Sequence, residues 1–361
     1  MTRRRVGAFV QAGVIGLAVA VFLVPLPAAA VERWYTDSVY RGLQGMLTPL
    51  SSRAPVAVLD VLLVAAILLV VLVLARGIRR ARQTRRLAPI GGAVWRLAVA
   101  CAAVYLAFLA LWGLNYQRVP LAARLEMREG PPAAADVVAL GLTAAGQVNA
   151  LHGPAHAEGW DAPWDSAALR DGFAAIDRLL GARVPAAPAP LKPTLLGAYF
   201  RWTGVDGMVN PFALEVLVNP DLLPFERPFV AAHEWAHLAG YADEAEASFV
   251  GWLACVRAGG PAAYSGWLAL FVSIVGEVGG NDREALLAAL EDGPRADLAA
   301  MAERQRRGQV PALRQAGRAV YDQYLRANRV EEGVRRYGAV VTLATQARFA
   351  EDWTPVPRGE N

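Results

Sequence analysis

The sequence predicts a mainly α-helical fold with a small β-sheet, an α+β domain preceded by three transmembrane helices. Three observations predict it. Three long apolar stretches fill the first third of the chain, and a bilayer crossing takes roughly 20 helical residues. After Leu114 the composition turns to that of a soluble domain. Within that domain helical periodicity dominates, and only two short segments carry strand-forming residues between turn signals. The whole chain agrees: 55% of its 361 residues are hydrophobic, and the mean hydropathy is +0.30, high for a soluble protein.

The first apolar stretch covers about residues 6–25, the second 56–74 and the third 93–114. A membrane domain is therefore expected over 1–114 and a second domain over 115–361. Arg3, Arg4 and Arg5 precede the first stretch, and Arg76, Arg79, Arg80, Arg82, Arg85 and Arg86 lie between the second and third. The intervening Val31–Arg53 mixes both charge signs. By the positive-inside rule the N-terminus and the arginine loop are cytoplasmic, so everything after Leu114 is extracytoplasmic. That describes a multi-pass protein of a bacterial cytoplasmic (inner) membrane, with the lipid bilayer as its first partner. A cleaved signal peptide ending at Ala28-Ala29-Ala30 is the rival reading, and it leaves the second domain on the same side.

Past the membrane domain, Pro131–Arg183 reads as helical and Pro185–Pro193 as a stiff connector. Thr194–Trp202 and Met208–Asn219 read as two strands around a turn-rich segment at 203–207. Pro211 makes the second an edge strand or a late-starting one. Pro228 fits the first turn of a helix that Gly240 ends. The next helix starts near Asp243, a fair N-cap, and runs through Ala258. Further helices are expected at about 261–276, 283–291, 296–307, 312–327 and 331–348. His152 and His156 fall in what reads as a solvated Gly/Pro-bearing loop. Asn115, Tyr116 and Arg118 read as anchors of the third span at the outer interface. Trp252 and Trp267 either face the membrane surface or fill the core.

The segment from Phe229 to Ser248 carries the chemistry. His233-Glu234-Trp235-Ala236-His237 is an HExxH motif. Positions i and i+4 share one helix face, so His233 and His237 can grip one metal ion. Glu234 can reach a water beside that metal and act as general base. The chain has four histidines, and two of them sit here. Zinc is the metal that this donor type suggests, one ion per chain, and a catalytic zinc site takes three protein ligands. Asp243, Glu244 and Glu246 compete for the third place. Asp243 completes HExxHxxGxxD, the pattern of metzincin peptidases, but that fold needs a methionine turn. The only later methionine is Met301, inside a charged helical stretch. A turn at Gly240 can bring either Glu244 or Glu246 back beside His237.

Glu244-Ala245-Glu246-Ala247-Ser248 resembles the ExxA(D/N) element of gluzincin-type peptidases. The resemblance implies Glu244 as the third ligand and Ser248 as the residue that supports a histidine from behind. Ser248 departs from the usual Asp or Asn. A wider resemblance covers most of the chain. It is similar to a bacterial family of membrane-anchored proteins, known as a domain of unknown function and regarded as zinc peptidases. The shared marks are Trp112–Arg118 after three spans, Asn210–Asn219 before the motif helix, Ala247-Ser248-Phe249 behind it, and Tyr321–Arg329. The resemblance implies a zincin-like metallopeptidase domain acting on an unknown peptide or protein substrate.

Leu214–Asn219 is the candidate edge strand above the metal, where unpaired backbone groups hold an extended peptide. Glu215 and Asn219 are the candidate substrate contacts on it. Glu234 would pass a proton from water to the leaving amine. Tyr321, Tyr324 and Tyr337 are candidate donors to the developing oxyanion. The competing expectation is a non-catalytic zinc-binding sensor or scaffold of the envelope, to which Glu234 would be superfluous. Two cysteines, Cys101 and Cys255, allow no disulfide framework and no thiolate zinc site. The net charge of +4 follows membrane topology, and no nucleic-acid partner is indicated.

Overall fold

The computed structural model describes residues 3–160, 166–328 and 339–359. It is mainly helical with one three-stranded sheet. Helix α1 (Arg3–Leu23) bends by 116° into a helical rod over Ala28–Ser52. The rod consists of α2 (Ala28–Ala30), a π-helical stretch at Val31–Tyr40, and α3 (Arg41–Ser52). Helices α4 (Val58–Thr84) and α5 (Ala88–Leu111) follow as a pair. Their apolar windows are almost wholly uncovered, with 0% and 6% of residues buried. Apolar faces that large on a folded chain need a partner other than water.

Helix α6 (Ala134–Glu158) is also long and apolar enough to cross a membrane, although the sequence did not mark it as a span. Its alanine-rich pattern has weak contrast between faces, and over a quarter of its apolar window is buried in the protein, against α11 (Gly260–Glu277). Three helices of span-like length and composition, or four with the bent pair, mark a membrane protein.

The remaining elements build a helical domain around one core. They are α7 (Ala167–Leu179), β1 (Leu191–Lys192), α8 (Gly197–Thr203), β2 (Gly207–Asn210), β3 (Glu215–Val218), α9 (Arg227–Leu238), α10 (Glu244–Ala258), α11, α12 (Gly280–Ala288), α13 (Asp292–Gly308), α14 (Pro311–Ala327) and α15 (Ala339–Gln346). Trp235, Trp252, Trp267, Phe249 and Phe271 fill the centre. Trp252 and Trp267 belong to this core, with rings 5.2 Å apart and edge to face. That geometry adds to the area each ring buries.

The sheet differs from the predicted one in three ways. Thr194–Trp202 is no strand: only Leu191–Lys192 pairs, and Gly197–Thr203 is helical. The aromatic residues there favour strands intrinsically, but Phe200 is fully buried from a helix that Gly204 ends at φ +74°. Met208–Asn219 is not one strand but a hairpin, with Pro211 in its turn and Leu214 at φ +50°. Finally, the strand order is β1-β3-β2, so the residues expected at the edge are central. β3 pairs parallel with β1 and antiparallel with β2. The sheet edge next to the motif helix is β2.

The segment after the third apolar stretch also lies elsewhere than predicted. Asn115 and Arg118 are buried in the domain. Arg118 forms a two-pronged ion pair with Glu32 on the rod, at 2.6 and 3.0 Å, and lies over the Tyr241 ring. This guanidinium fork ties the rod to the chain leaving α5.

Candidate metal centre

Helix α9 is anchored before it reaches the motif. Pro228 occupies its first turn, the Phe229 N–H donates to Ser265 Oγ at 3.0 Å, and the Trp235 indole N–H donates to the Ala189 carbonyl at 2.8 Å. Gly240 then ends the helix at φ +87°, a conformation that glycine adopts without strain. A Cβ at that position would lie 2.9 Å from Asn115 Oδ1, so space and backbone both require glycine. The Asp243 side chain accepts from the N–H groups of Ala245 and Glu246 and starts α10. α10 runs back against α9, and the contact is close: a Cβ on Gly251 would sit 2.9 Å from the His233 nitrogen.

This turn delivers Glu244 to the two histidines. Its Oε2 lies 3.3 Å from His233 Nε2 and 3.6 Å from His237 Nε2. The three ligand atoms lie within 4.8 Å of one another. The opposite ring nitrogens are occupied. His237 Nδ1 donates to the Tyr241 carbonyl at 2.8 Å, and His233 Nδ1 lies 3.2 Å from Ser248 Oγ. An N–H held on Nδ1 leaves the lone pair on Nε2, the nitrogen that faces Glu244. The Trp112 indole N–H donates to the His237 carbonyl and the Tyr40 hydroxyl to the Leu238 carbonyl. Both residues come from the N-terminal third, so the rod and the end of α5 form the floor of the site.

Charges in the cluster are coupled. Burial works against charge on each group. For His237 the Glu244 carboxylate outweighs burial, helped by Glu234 and the Tyr241 carbonyl, and raises its pKa to about 9. His237 and His233 in turn hold Glu244 well below the ordinary carboxylate range despite its burial. Glu234 goes the other way. It is 3% exposed, and burial raises its pKa against the pull of both histidines. Its Oε2 has no hydrogen-bond partner among the described residues. Gly207, at the start of β2, passes directly over it: a Cβ there would lie 2.5 Å from Glu234 Oε1.

The structure thus brings together His233, His237, Glu234, Glu244 and Ser248. Asp243 is the helix cap and stands apart from the cluster. Glu246, the alternative third ligand, points the other way. It accepts from the Leu121 N–H at 2.6 Å, and burial pushes its pKa up to about 7. Tyr321 on α14 donates its hydroxyl to Glu244 Oε1. The Tyr324 side chain and Tyr337 lie outside the described residues.

The two substrate-contact candidates, Glu215 on β3 and Asn219 just after it, are both buried, because β3 is central. Glu215 is fully buried and accepts from Val58 N, Leu59 N, Lys192 Nζ and Asn210 Nδ2. It caps the first turn of α4. Asn219 is also buried; it donates to the Val205 carbonyl and accepts from the Asp221 N–H, fixing the turn after β3. Neither faces a substrate. Sequence reasoning missed Gly207, Tyr40 and Trp112. Only Trp112 carried any signal, as part of a recurring block, and that block does not say what it supports.

Residues 35–345 match the family described as "Protein of unknown function (DUF3810)", and the chain belongs to that family. The family's description assigns no activity. No curated protein and no solved structure matches the chain.

Proposed function

We propose that the protein is a membrane-anchored zinc metallopeptidase that hydrolyses peptide bonds on the outer side of a bacterial cytoplasmic membrane. One observation carries this reading. Two imidazole Nε2 atoms and the Glu244 carboxylate converge, and beside them sits a buried carboxylate oxygen, on Glu234, without a partner. A buried polar atom left unmatched costs stability, and a purely structural metal site has no use for one. The donor set fits zinc: two imidazole nitrogens and one carboxylate, with both outer nitrogens already held. His233, His237 and Glu244 would hold the ion, which supplies Lewis acidity and a water of near-neutral pKa when bound.

The chain's own residues supply the rest. Glu234 takes a proton from the attacking water at its free Oε2 and returns it to the leaving amine. Its burial strengthens it as a base. β2, the edge strand over Glu234, offers backbone groups to an extended peptide, and Gly207 lets that backbone come close. Tyr321, whose hydroxyl donates to Glu244, is the candidate donor to the carbonyl oxygen as negative charge builds on it. The arginines that open α1 and those clustered from the last turns of α4 to Arg86 support a cytoplasmic side for those ends.

The test is elemental mass spectrometry of the detergent-purified chain combined with cleavage of a fluorogenic peptide library. The expected result is zinc that His233→Ala removes, with cleavage that Glu234→Gln abolishes while zinc stays. Folded wild-type protein that takes up no zinc at this cluster would remove the peptidase reading and leave a membrane scaffold.

A further inference from the structure

A second cluster of metal-ligating side chains lies outside the site just described. His152 and His156 do not lie in a loop: α6 continues through Pro154 to Glu158 and places them one turn apart on one face. Their rings are 4.2 Å apart. Asp297 on α13, more than 140 positions later, faces both. Its Oδ2 lies 2.8 Å from His156 Nε2 and 3.7 Å from His152 Nε2. The three ligand atoms lie within 4.8 Å of one another. Two donors held about 2.1 Å from one ion at a tetrahedral angle stand roughly 3.4 Å apart. The two distances bracket that value.

The surroundings are built to hold this geometry. Tyr264 on α11 donates its hydroxyl to Asp297 Oδ2 at 2.5 Å, which fixes the carboxylate. Gly293, one turn before Asp297 on α13, makes room for the His152 ring: a Cβ there would lie 2.4 Å from it. Trp160 and Tyr264 pack edge to face on His156 and close the apolar side. Asp297 is mostly buried and His156 remains one-third exposed, so one side of the cluster is open to water.

We propose that His152, His156 and Asp297 form a second divalent-metal site that fastens α13 to α6. Two imidazoles and one carboxylate suit zinc, cobalt or nickel over the hard cations magnesium and calcium, which prefer all-oxygen sites. The ion replaces the direct contact between His156 and Asp297, and solvent fills the open positions. Among the described residues no unpartnered carboxylate like that of Glu234 lies in this cluster, and the role assigned to it is structural. The inference does not depend on the peptidase reading, because it shares no residue with the first cluster.

The experiment uses the full chain in detergent with His233→Ala and His237→Ala installed, so that only the second cluster can bind. Cobalt(II) is the probe, followed by its visible absorption and by the thermal midpoint. The expected result is one cobalt per chain and a raised midpoint. Adding His156→Gln, or separately Asp297→Asn, weakens binding by more than about tenfold, the size of effect that even an outer-sphere partner carries. Asp297→Asn can still accept from the Tyr264 hydroxyl and guards against misfolding. If the double background does not fold, the same loss is read in the otherwise wild-type chain as a fall from two bound ions to one. Cobalt binding that is absent in folded protein, or undiminished by both substitutions, overturns the proposal and leaves a metal-free hydrogen-bonded pair.

Discussion

The two histidine clusters are built alike and surrounded differently. In each, a histidine pair spaced i, i+4 on one helix meets a carboxylate from another helix. At His233 and His237 the carboxylate arrives from the next helix through one tight turn. At His152 and His156 it comes from α13. The first cluster has a buried carboxylate with an unmatched oxygen, an edge strand above it and a phenol on Glu244. The second has a carboxylate already satisfied by a tyrosine, and an aromatic wall. Ligand type alone therefore does not separate a reactive site from a fastening. The separating feature is a buried carboxylate oxygen that folding leaves unmatched, at Glu234; the unmatched group beside the second cluster is the Trp160 indole N–H, which is no base.

The largest expected effect tests which acid is the ligand. Glu244→Gln should remove zinc and all cleavage, because a neutral amide is a poor replacement for a ligating carboxylate. Glu246→Gln, two positions on, should keep both, since its amide oxygen can still accept from Leu121. Metal content of the pair decides it. Zinc lost from Glu246→Gln and kept by Glu244→Gln would break the comparison at its base.

Next in size is Glu234→Gln. Loss of a general base lowers turnover by about 10²–10⁴-fold. Zinc should remain, because Glu234 is not among the converging ligands. In the second cluster, Asp297→Asn should leave turnover as it is. A parallel loss of cleavage in both variants would mean that the clusters are not functionally distinct.

Glu215 sharpens what an unmatched carboxylate means, because it is a buried carboxylate of the opposite kind. Four donors surround it. Burial alone would raise its pKa, but the bonds from Asn210, Leu59, Val58 and Lys192 outweigh burial and hold it below the ordinary range. A depressed folded pKa contributes stability above the unfolded value of about 4.3. That stability is lost as pH falls through the folded pKa. Glu215→Gln strands the buried Lys192 charge and should cost about 3 kcal/mol near neutral pH. The thermal midpoint of the variant should then fall less steeply in acid than that of the wild type. An unchanged midpoint at neutral pH would show that this network does not hold α4 to the sheet.

The contrast between local and distant partners also explains what could be read in advance. His233, Glu234 and His237 follow from helix geometry within five residues, and Glu244 from one glycine-ended turn. Spacing could not separate Glu244 from Glu246, since both sit in the first turn of α10. The decision lies in the Asp243 cap and the close contact at Gly251. The sheet was misread for a similar reason. Which strand is central depends on β1, two residues long and set by the docking of the connector, not by its own pattern. His152 and His156 looked like loop residues because Gly153 and Pro154 lie between them. Their partner, Asp297, is invisible without the fold.

The smallest effects concern the residues behind the ligands. Among the described residues Ser248 Oγ is the partner of His233 Nδ1, at the position where the peptidase element it resembles carries an Asp or Asn. A hydroxyl orients the ring but adds no charge to strengthen it. Ser248→Ala should therefore lower zinc affinity by only about tenfold, the low end for such partners. Ser248→Asp restores the charged form and should raise affinity instead. Tyr264→Phe is the matching change in the second cluster, where it frees Asp297 and should weaken cobalt binding by a similar factor. Competition titrations with a chromophoric chelator measure all three. If Ser248→Ala binds as tightly as the wild type, the His233 ring is held by helix packing alone. The serine is then a neighbour of the site and not a support for it.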